Sequence, residues 1–274
     1  MTPAPFTPPP LAPRNPMFAL APVEMCPLAG VWTPGPLPPG WDAEEKHDGV
    51  RAIWTKGAIY SREGNPLPLD HVAPDLQRLE RRFGEPMVFD GEYAEPAGFL
   101  ATLAAVKHGF KGERRGVFHI FDAVPTVQWR TDTCMDPLST RRDAIGWALG
   151  DWKPAHVERV QATPVSGQGD VEALAATIWA RGGEGLILKR RDSLYRRCRT
   201  RDWLKLKRAL ALRGAIVEMI GERAARVAID GRVYRVAVPA SFTPIVGMRV
   251  DVAAMEYTGT GALRQGRIVG MGKD

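Results

Sequence analysis

The sequence contains few cysteines and no long apolar run, and both absences narrow the class of protein. Cys26, Cys134 and Cys198 are odd in number, far apart and without Cys-x-x-Cys or Cys/His spacing. Neither a disulfide framework nor a zinc site is therefore indicated, and a reducing, cytoplasmic compartment is expected. No segment has the length and apolarity of a membrane span, and the N-terminus lacks a charged leader before an apolar core. We expect no membrane partner and no secretory signal.

The chain also lacks a strong charge excess. Its 274 residues carry a net charge of +6, with 45% hydrophobic and 25% charged residues and a pI near 9.4. This composition is ordinary for a soluble globular protein, and the length suits one large domain followed by a small one. The modest basic excess favours an anionic partner, of which nucleic acid is the commonest, without establishing it.

Proline is unevenly distributed, and its clustering sets the N-terminal region apart. About half of the 24 prolines lie in the first 40 residues. This density excludes a helix or a central strand there, because proline lacks the backbone N–H and has a fixed φ. We predict a proline-rich N-terminal arm and clasp over residues 1–40.

One stretch, Glu44-Glu45-Lys46-His47-Asp48-Gly49-Val50-Arg51, organises the rest of the chain. Asp-Gly is a strong hairpin dipeptide, and Val50 to Trp54 has the composition of a returning strand. A hairpin would place Lys46 at the mouth of a sheet with Arg51 close by. Taken alone, the stretch favours a surface hairpin with two solvated cations, so its meaning depends on partners downstream.

Four downstream segments supply those partners. They are Phe89-Asp90-Gly91-Glu92, Phe118-His119-Ile120-Phe121-Asp122, Glu184-Gly185-Leu186-Ile187-Leu188-Lys189 and Trp203-Leu204-Lys205-Leu206-Lys207. The alternation in the last segment places Lys205 and Lys207 on one strand face. Taken singly, each segment has a plainer interpretation as core, solvated strand end or exposed strand face. Their order and spacing after the Lys46 stretch, taken together, favour a shared functional site instead.

The residue types in these segments suit phosphoryl transfer to an amine. A lysine attacks an α-phosphate only as the neutral amine, a form that burial or nearby cations favour. Nearby cations would also stabilise the phosphoryl group in flight. Candidate cations are Arg51, Lys189, Lys205 and Lys207. Glu92 and Glu184 are candidate ligands for Mg²⁺, or equally Mn²⁺, which takes one or two carboxylates together with phosphate and water.

Together the segments resemble the covalent nucleotidyltransferases, the superfamily of ATP-dependent DNA ligases, RNA ligases and mRNA capping enzymes. The resemblance implies that Lys46 is the nucleophile that becomes linked to AMP through a phosphoramidate. It implies that Glu44 reads the adenine amino edge, that Phe121 stacks on the purine, and that Lys189 binds the nucleotide. Ser61-Arg62-Glu63-Gly64 resembles a further motif, whose arginine, here Arg62, helps bind nucleotide or nick phosphate.

The remaining roles follow from the same resemblance. Arg51 is expected to contact the ribose and phosphates of ATP. Glu92 is expected near the ribose and the metal ion, and Glu184 on the metal side. Lys205 and Lys207 are expected to hold the α-phosphate.

The implied fold is α+β with two domains. Residues 41–208 are expected to form a nucleotidyltransferase (adenylation) domain of antiparallel sheets with flanking helices. Residues 209–274 read as five short strands with a hairpin at Asp230-Gly231, which fits a small OB-fold β-barrel. The run from Gly261 to Ile268 resembles a ligase C-terminal motif but lacks its proline and phenylalanine.

An ATP-dependent DNA ligase of the compact phage or bacterial kind is the function that the resemblance favours. It would use ATP as the AMP donor and Mg²⁺ or Mn²⁺, and act as a monomer on nicked double-stranded DNA in the cytoplasm (a host's, if a phage encodes it). The alternatives are an RNA ligase, a capping-type nucleotidyltransferase and a non-catalytic OB-type nucleic-acid-binding protein. Leu263-Arg264 favours DNA over RNA, Glu44 argues against capping, and the intact Lys46 argues against a non-catalytic protein.

Overall fold

The computed structural model describes residues 25–208, 210–258 and 261–272. The chain divides into two compact units between Leu206 and Lys207. Within the described ranges, no helix has both the length and the apolarity needed to cross a bilayer. The predicted arm and clasp lie, as far as residue 24, outside the described residues.

Among its described residues, the first unit contains two five-stranded sheets and five helices. Its strands are β1 (Leu28–Val31), β2 (Trp41–Glu45), β3 (Val50–Thr55), β4 (Ala58–Ser61), β5 (Met87–Ala94), β6 (Val117–Pro125), β7 (Val157–Arg159), β8 (Ala162–Val165), β9 (Gly185–Arg190) and β10 (Arg199–Lys207). Its helices are α1 (Ala73–Phe83), α2 (Phe99–Ala105), α3 (Thr126–Thr131), α4 (Leu138–Leu149) and α5 (Gln168–Ala180). Sheet A has the strand order β1-β10-β9-β2-β8, and sheet B has the order β4-β3-β5-β6-β7.

Both sheets are mixed, so the prediction of antiparallel sheets is wrong in part. In sheet A, β2 is antiparallel to β8 and β9, whereas β1 runs parallel to β10. In sheet B, the pairs from β4 to β6 are antiparallel, whereas β6 and β7 are parallel. Parallel neighbours need a long crossover connection. Helices α3 and α4 provide one between β6 and β7, and most of the unit lies between β1 and β10.

One face of sheet A packs on α5, and the opposite face carries charged residues. Trp41 and Ala43 of β2 belong to a hydrophobic cluster with Val171 of α5. Asp42 and Glu44 alternate with them and therefore point to the other face. Both carboxylates are nonetheless buried, so the second face of sheet A is covered as well.

Sheet B repeats this division of faces. Phe89 and Tyr93 of β5 pack in a second cluster with Leu79 of α1 and with residues of α4. Asp90 and Glu92 lie between them in the sequence and point to the opposite face. Each sheet thus has one apolar, helix-covered face and an opposite face that carries buried or half-buried acids. In sheet B this second face also holds buried apolar residues, among them Ile53 and Val88.

The segment from residue 25 to residue 40 is part of the first unit's core. Met25 and Cys26 are buried in one hydrophobic cluster, and Trp32 and Leu37 in another. Between them β1 forms an edge of sheet A, which agrees with the exclusion of a central strand from this proline-rich region. The core therefore begins before residue 41, where the sequence placed the start of the adenylation domain.

The predicted hairpin at Asp48-Gly49 is wrong. β2 belongs to sheet A and β3 to sheet B, so the chain crosses between the sheets directly after Lys46. Gly49 serves close packing at this crossing. A Cβ on it would lie 2.2 Å from the carbonyl oxygen of Tyr93 and 2.9 Å from Cγ of Glu92.

The second unit contains a closed β-barrel. Its strands are β11 (Leu210–Ile220), β12 (Ala224–Ile229), β13 (Arg232–Ala237), β14 (Arg249–Ala254), β15 (Glu256–Tyr257), β16 (Leu263–Arg264) and β17 (Arg267–Met271). The barrel runs β11-β12-β13-β17-β14, and β15 pairs with β16 beside it. Its interior is an apolar cluster that includes Ile216, Val227, Val250 and Ile268. The five expected strands are present with two differences: the fourth, expected from Arg249 to Glu256, is divided into β14 and β15, and the last is divided into β16 and β17.

The second Asp-Gly dipeptide does form a hairpin, as predicted. Asp230 and Gly231 join β12 to β13, and their φ angles are +49° and +76°. Positive φ at both central residues is the requirement of the type I′ turn that matches strand twist. The Asp-Gly dipeptide therefore forms a hairpin turn at Asp230-Gly231 and allows a close backbone approach at Asp48-Gly49.

Gly49→Ala should lower the free energy of unfolding by about 1–3 kcal/mol, the usual effect of overpacking. The physical reason is that the added methyl would overlap backbone atoms of β5, which, unlike the end of a flexible side chain, cannot move away by a rotamer change. Gly169→Ala is the matched control, because Gly169 is in α5 and a Cβ there meets nothing within 4 Å; it should be neutral or slightly stabilising. Urea unfolding of both variants measures this, and equal effects would contradict the close-packing explanation.

Candidate active site

Lys46 follows β2 directly and is held by sheet A. Its backbone N–H donates to the carbonyl oxygen of Gly185 at 2.9 Å, and its Nζ donates to Oε2 of Glu184 at 2.6 Å. Glu184 immediately precedes the central strand β9, and its side chain is only 3% exposed, against 20% for Lys46. The structure thus brings the predicted nucleophile into contact with one of the two predicted metal ligands.

Arg51 is held by a carboxylate that was not among the predicted site residues. Its Nε and Nη2 donate to Oδ1 and Oδ2 of Asp90 at 2.6 and 2.7 Å, and the Tyr195 hydroxyl donates to the same Oδ2 at 2.9 Å. Such a bidentate pair fixes the plane of the guanidinium. The plane lies over the ring of Phe121, with Cζ 4.6 Å from the ring centroid.

Glu92 is the least compensated acid of the site. Burial raises the pKa of its carboxyl to about 7; Lys46 and Arg51 oppose this shift, while Glu184 and Asp90 add to it. Within the part of the chain that the structure describes, Glu92 has no ion-pair partner. A half-buried carboxyl with neighbouring negative charge and no cation of its own is suited to bind an added cation.

Glu44 is buried and paired through both oxygens. Oε2 lies 2.6 Å from Nζ of Lys189, and Oε1 accepts a hydrogen bond from Nη2 of Arg142. Arg142 also donates through Nη1 to Oδ2 of Asp42 at 2.8 Å, and Arg191 donates to Oδ1 of Asp42 at 2.7 Å. Two acids on one face of β2 therefore share three cations, which is how buried carboxylates are tolerated.

Lys189 links the two sheets. Its Nζ lies 3.9 Å from the ring centroid of Phe121 in sheet B and 4.0 Å from that of Trp203 on β10. Burial lowers the pKa of Lys189 to about 8; Glu44 partly offsets this effect, and Arg142 adds to it. The ammonium contacts both rings as a cation–π pair does, so the predicted nucleotide-binding lysine lies against the predicted purine platform.

Phe121 is aimed at this place by a β-bulge. Asp90 pairs with Asp122 and Gly91 with Ile120, which leaves Phe121 as the extra residue of β6. Bulges re-aim side chains and are common beside active sites. The ring contacts Arg51, Lys189 and Trp203, as described above; its stacking on a purine stays a prediction.

We call Glu44, Lys46, Arg51, Glu92, Phe121, Glu184 and Lys189 the intersheet site. Three other predicted residues have different surroundings. Arg62 is exposed just after β4 and pairs with its neighbour Glu63. Lys205 lies two residues beyond Trp203 on β10, so the two side chains share a strand face. Lys207 is the last residue of β10 and the first residue of the second unit, and its Nζ donates to Oε1 of Gln265 at 3.4 Å. The predicted phosphate contacts of all three stay predictions.

Two consecutive arginines of α4 were not among the predicted site residues. Arg141 donates through Nε and Nη2 to Oδ1 and Oδ2 of Asp122 at 2.6 and 2.8 Å, and Arg142 makes the pairs with Asp42 and Glu44. Helical arginines are usually solvated, and nothing local distinguishes these two. Asp42 and Asp90 were detectable, since each lies two residues before a predicted site acid on the same strand face.

A stacked histidine pair lies next to the nucleophile. The rings of His47 and His119 are parallel within 10° with centroids 3.8 Å apart. Burial lowers the pKa of His47 to about 3, and the nearby His119 and Lys46 add to the effect. His47 is therefore neutral at physiological pH and adds no charge beside Lys46.

Asp122→Ala should lower the free energy of unfolding by about 3–5 kcal/mol, because it leaves the buried Arg141 guanidinium without its carboxylate. Asp192→Ala is the control: its pair with Arg190 is exposed, at 68% and 45% of the two side chains, and should contribute below about 1 kcal/mol. Urea unfolding at neutral pH compares them. Similar losses in both variants would show that the buried pair is not specially important.

The raised pKa of Glu92 predicts a pH dependence of stability. Because the folded-state value, about 7, exceeds the ordinary 4.5, the folded state binds the proton more tightly, and stability is lost as pH rises from about 4.5 to about 7. Glu92→Gln removes this titration and should become progressively more stable relative to the parent protein across that window. Unfolding curves at several pH values, with EDTA present, test this; parallel profiles would contradict it.

Comparisons with known proteins agree on one family. The family model described as the ATP dependent DNA ligase domain matches residues 37–207. A DNA ligase of Haemophilus influenzae is 25% identical over 173 residues, which is 62% of this chain and 59% of that protein. The matched stretch therefore spans less than two thirds of the relative's length.

Solved structures agree in fold. The structure described as Pmar-Lig_Pre superposes with a TM-score of 0.76 at 21% identity, over 93% of this chain and 68% of that chain. A Lig E DNA ligase, described as binding DNA with a minimal scaffold, gives 0.67 at 16% identity, over 89% of this chain and 100% of that chain. These similarities show the fold, and the family model, which matches well over half of the sequence, shows that the chain belongs to the ATP-dependent DNA ligase domain family.

Proposed function

We propose that the chain is an ATP-dependent DNA ligase that joins 5′-phosphate and 3′-hydroxyl ends at nicks through a Lys46–AMP intermediate. The observation that carries this proposal is the contact of Lys46 Nζ with Glu184 at 2.6 Å, within a set of residues contributed by both sheets. A lysine in contact with a carboxylate, beside cations and aromatic rings, suits nucleotide transfer better than any plain surface role.

The first step would be attack of Lys46 Nζ on the α-phosphorus of ATP, with pyrophosphate as the leaving group. Arg51 is suited to stabilise negative charge on the phosphates, because Asp90 and Tyr195 hold its guanidinium in one orientation. The purine would meet Glu44 and Phe121. AMP would then pass to the 5′-phosphate of a nick, and the 3′-hydroxyl would displace it.

Glu92 and Glu184 are the proposed ligands of a divalent cation. Their chemistry fits, because Mg²⁺ and Mn²⁺ take oxygen ligands and Glu92 is a half-buried carboxyl without a cation of its own. When bound, the metal ion supplies charge neutralisation for the transferring phosphoryl group.

The barrel of the second unit supports a DNA partner. We assign it to the OB-fold, a five-stranded barrel that often binds nucleic acid, and expect it to act with the first unit on nicked duplex DNA as a monomer. The boundaries 41–208 and 209–274 remain our proposed domains, with the core of the first extended to residue 25. We also propose a cytoplasmic location, because the three cysteines are odd in number and far apart in the sequence and so do not indicate a disulfide framework.

Incubation with α-labelled ATP and Mg²⁺ should leave label on the protein in a denaturing gel. Lys46→Ala should reduce this label to background, because it removes the nucleophile, whereas Lys153→Ala, at an exposed lysine, should retain it. Transfer of the label to a nicked DNA duplex, and sealing of that duplex, complete the test.

Other outcomes of this experiment identify other functions. Label from GTP instead of ATP would indicate a capping-type enzyme, and sealing of nicked RNA alone would indicate an RNA ligase. A folded protein that takes label from neither nucleotide would be a binding protein and would contradict the proposal.

A further inference from the structure

Arg142 is the residue through which α4 reaches the predicted purine reader. Its Nη1 donates to Asp42 at 2.8 Å and its Nη2 to Glu44, so one guanidinium bridges two acids that lie two residues apart on β2. The side chain is 7% exposed and that of Glu44 only 2%. Motion of the Glu44 carboxylate is therefore restricted from the α4 side by a planar, two-pronged donor.

The preceding residue ties the same helix to the other sheet. Arg141 pairs with Asp122 of β6 at 2.6 and 2.8 Å, and Asp122 follows Phe121 directly. Consecutive residues of α4 are thus joined to Glu44 in sheet A and to Asp122, the residue after Phe121, in sheet B. One turn of α4 is therefore anchored to both sheets, next to the two groups expected to meet the purine.

We propose that Arg142 is a positioning residue for purine selection: by fixing the Glu44 carboxylate, it makes the intersheet site prefer a purine with an amino group at C6. The inference rests on the proposed function. A carboxylate accepts about four hydrogen bonds, and Arg142 and Lys189 occupy one oxygen each, so Glu44 retains capacity for a further donor. Adenine offers an amino donor at C6, whereas guanine offers an oxygen that a carboxylate repels.

The bridge between two acids requires arginine. A lysine has one nitrogen on a flexible stem and cannot hold Asp42 and Glu44 together in one plane. Loss of the bridge leaves neither acid without a cation, because Asp42 keeps Arg191 at 2.7 Å and Glu44 keeps Lys189 at 2.6 Å. Arg142→Lys is therefore expected to fold, but with a less restricted Glu44 carboxylate.

The test compares ATP with purine riboside triphosphate, which differs only in lacking the amino group. The quantity measured is kcat/KM for formation of the covalent lysyl-nucleotide. The parent protein should prefer ATP by about 10- to 100-fold, the size typical for one hydrogen bond to a charged group. Arg142→Lys should reduce this preference to within about threefold, chiefly through a raised KM for ATP.

Two further variants separate positioning from general damage. Arg191→Gln removes a cation from Asp42 but leaves Glu44 with both partners, so it should keep the parental preference. Asp42→Asn weakens the second anchor of Arg142 and should lower the preference part of the way, which also provides a test if Arg142→Lys fails to fold. Thermal unfolding of each variant confirms its folded state.

The outcomes are distinguishable. A parent protein that forms no covalent product with ATP would overturn the proposed function and this inference with it. A parent protein that reacts equally well with both nucleotides would overturn only the reading of the amino group and so the inference. If Arg142→Lys lowered kcat/KM equally for both nucleotides and left their ratio unchanged, Arg142 would have only a structural role and the inference would be overturned.

Discussion

The structure of the first unit depends on the neutralisation of buried carboxylates between its two sheets. Asp42, Glu44, Asp90 and Asp122 are all buried, and an isolated buried carboxylate is strongly unfavourable. Arginines of α4 and β3 and Lys189 meet these acids. Because each pair joins different elements, the charges also set how the sheets and α4 lie relative to one another.

The acids of this site differ in whether a cation pairs with them, and this difference distinguishes structural acids from the proposed metal ligand Glu92. Asp90 and Asp122 each accept two hydrogen bonds from one arginine. The first pair orients Arg51, and the second anchors the residue that follows Phe121. Glu92 differs, because the burial that raises its pKa to about 7 is not matched by a cation of its own. A group left in this condition costs stability at neutral pH, and binding of a cation would relieve that cost.

The two Asp-Gly dipeptides show why local sequence predicts some turns and misses others. At Asp230-Gly231 both residues have positive φ, and the turn needs only the adjacent strands β12 and β13 to form. At Asp48-Gly49 the glycine is required because the backbone of Tyr93, far along the chain, passes too close for a side chain. The Asp-Gly dipeptide therefore satisfies a local backbone requirement at Asp230-Gly231. At Asp48-Gly49 the glycine is required by a contact with a residue distant in the sequence.

The sequence by itself determined the strands of the site and which of their residues share a face. Strand alternation is a local property, so the strands next to Lys46, Glu92 and Glu184 could be assigned from the residue pattern alone, and their order indicated the family. Glu92, expected at a strand end, lies within β5. Only the tertiary structure decided the mixed sheets, the crossing after Lys46 and the partners of the site acids. Lys46 and Glu184 are 138 residues apart and Arg142 and Glu44 are 98 apart. Periodicity within one element holds no information about such pairs, because they form only when separate elements are brought together by packing.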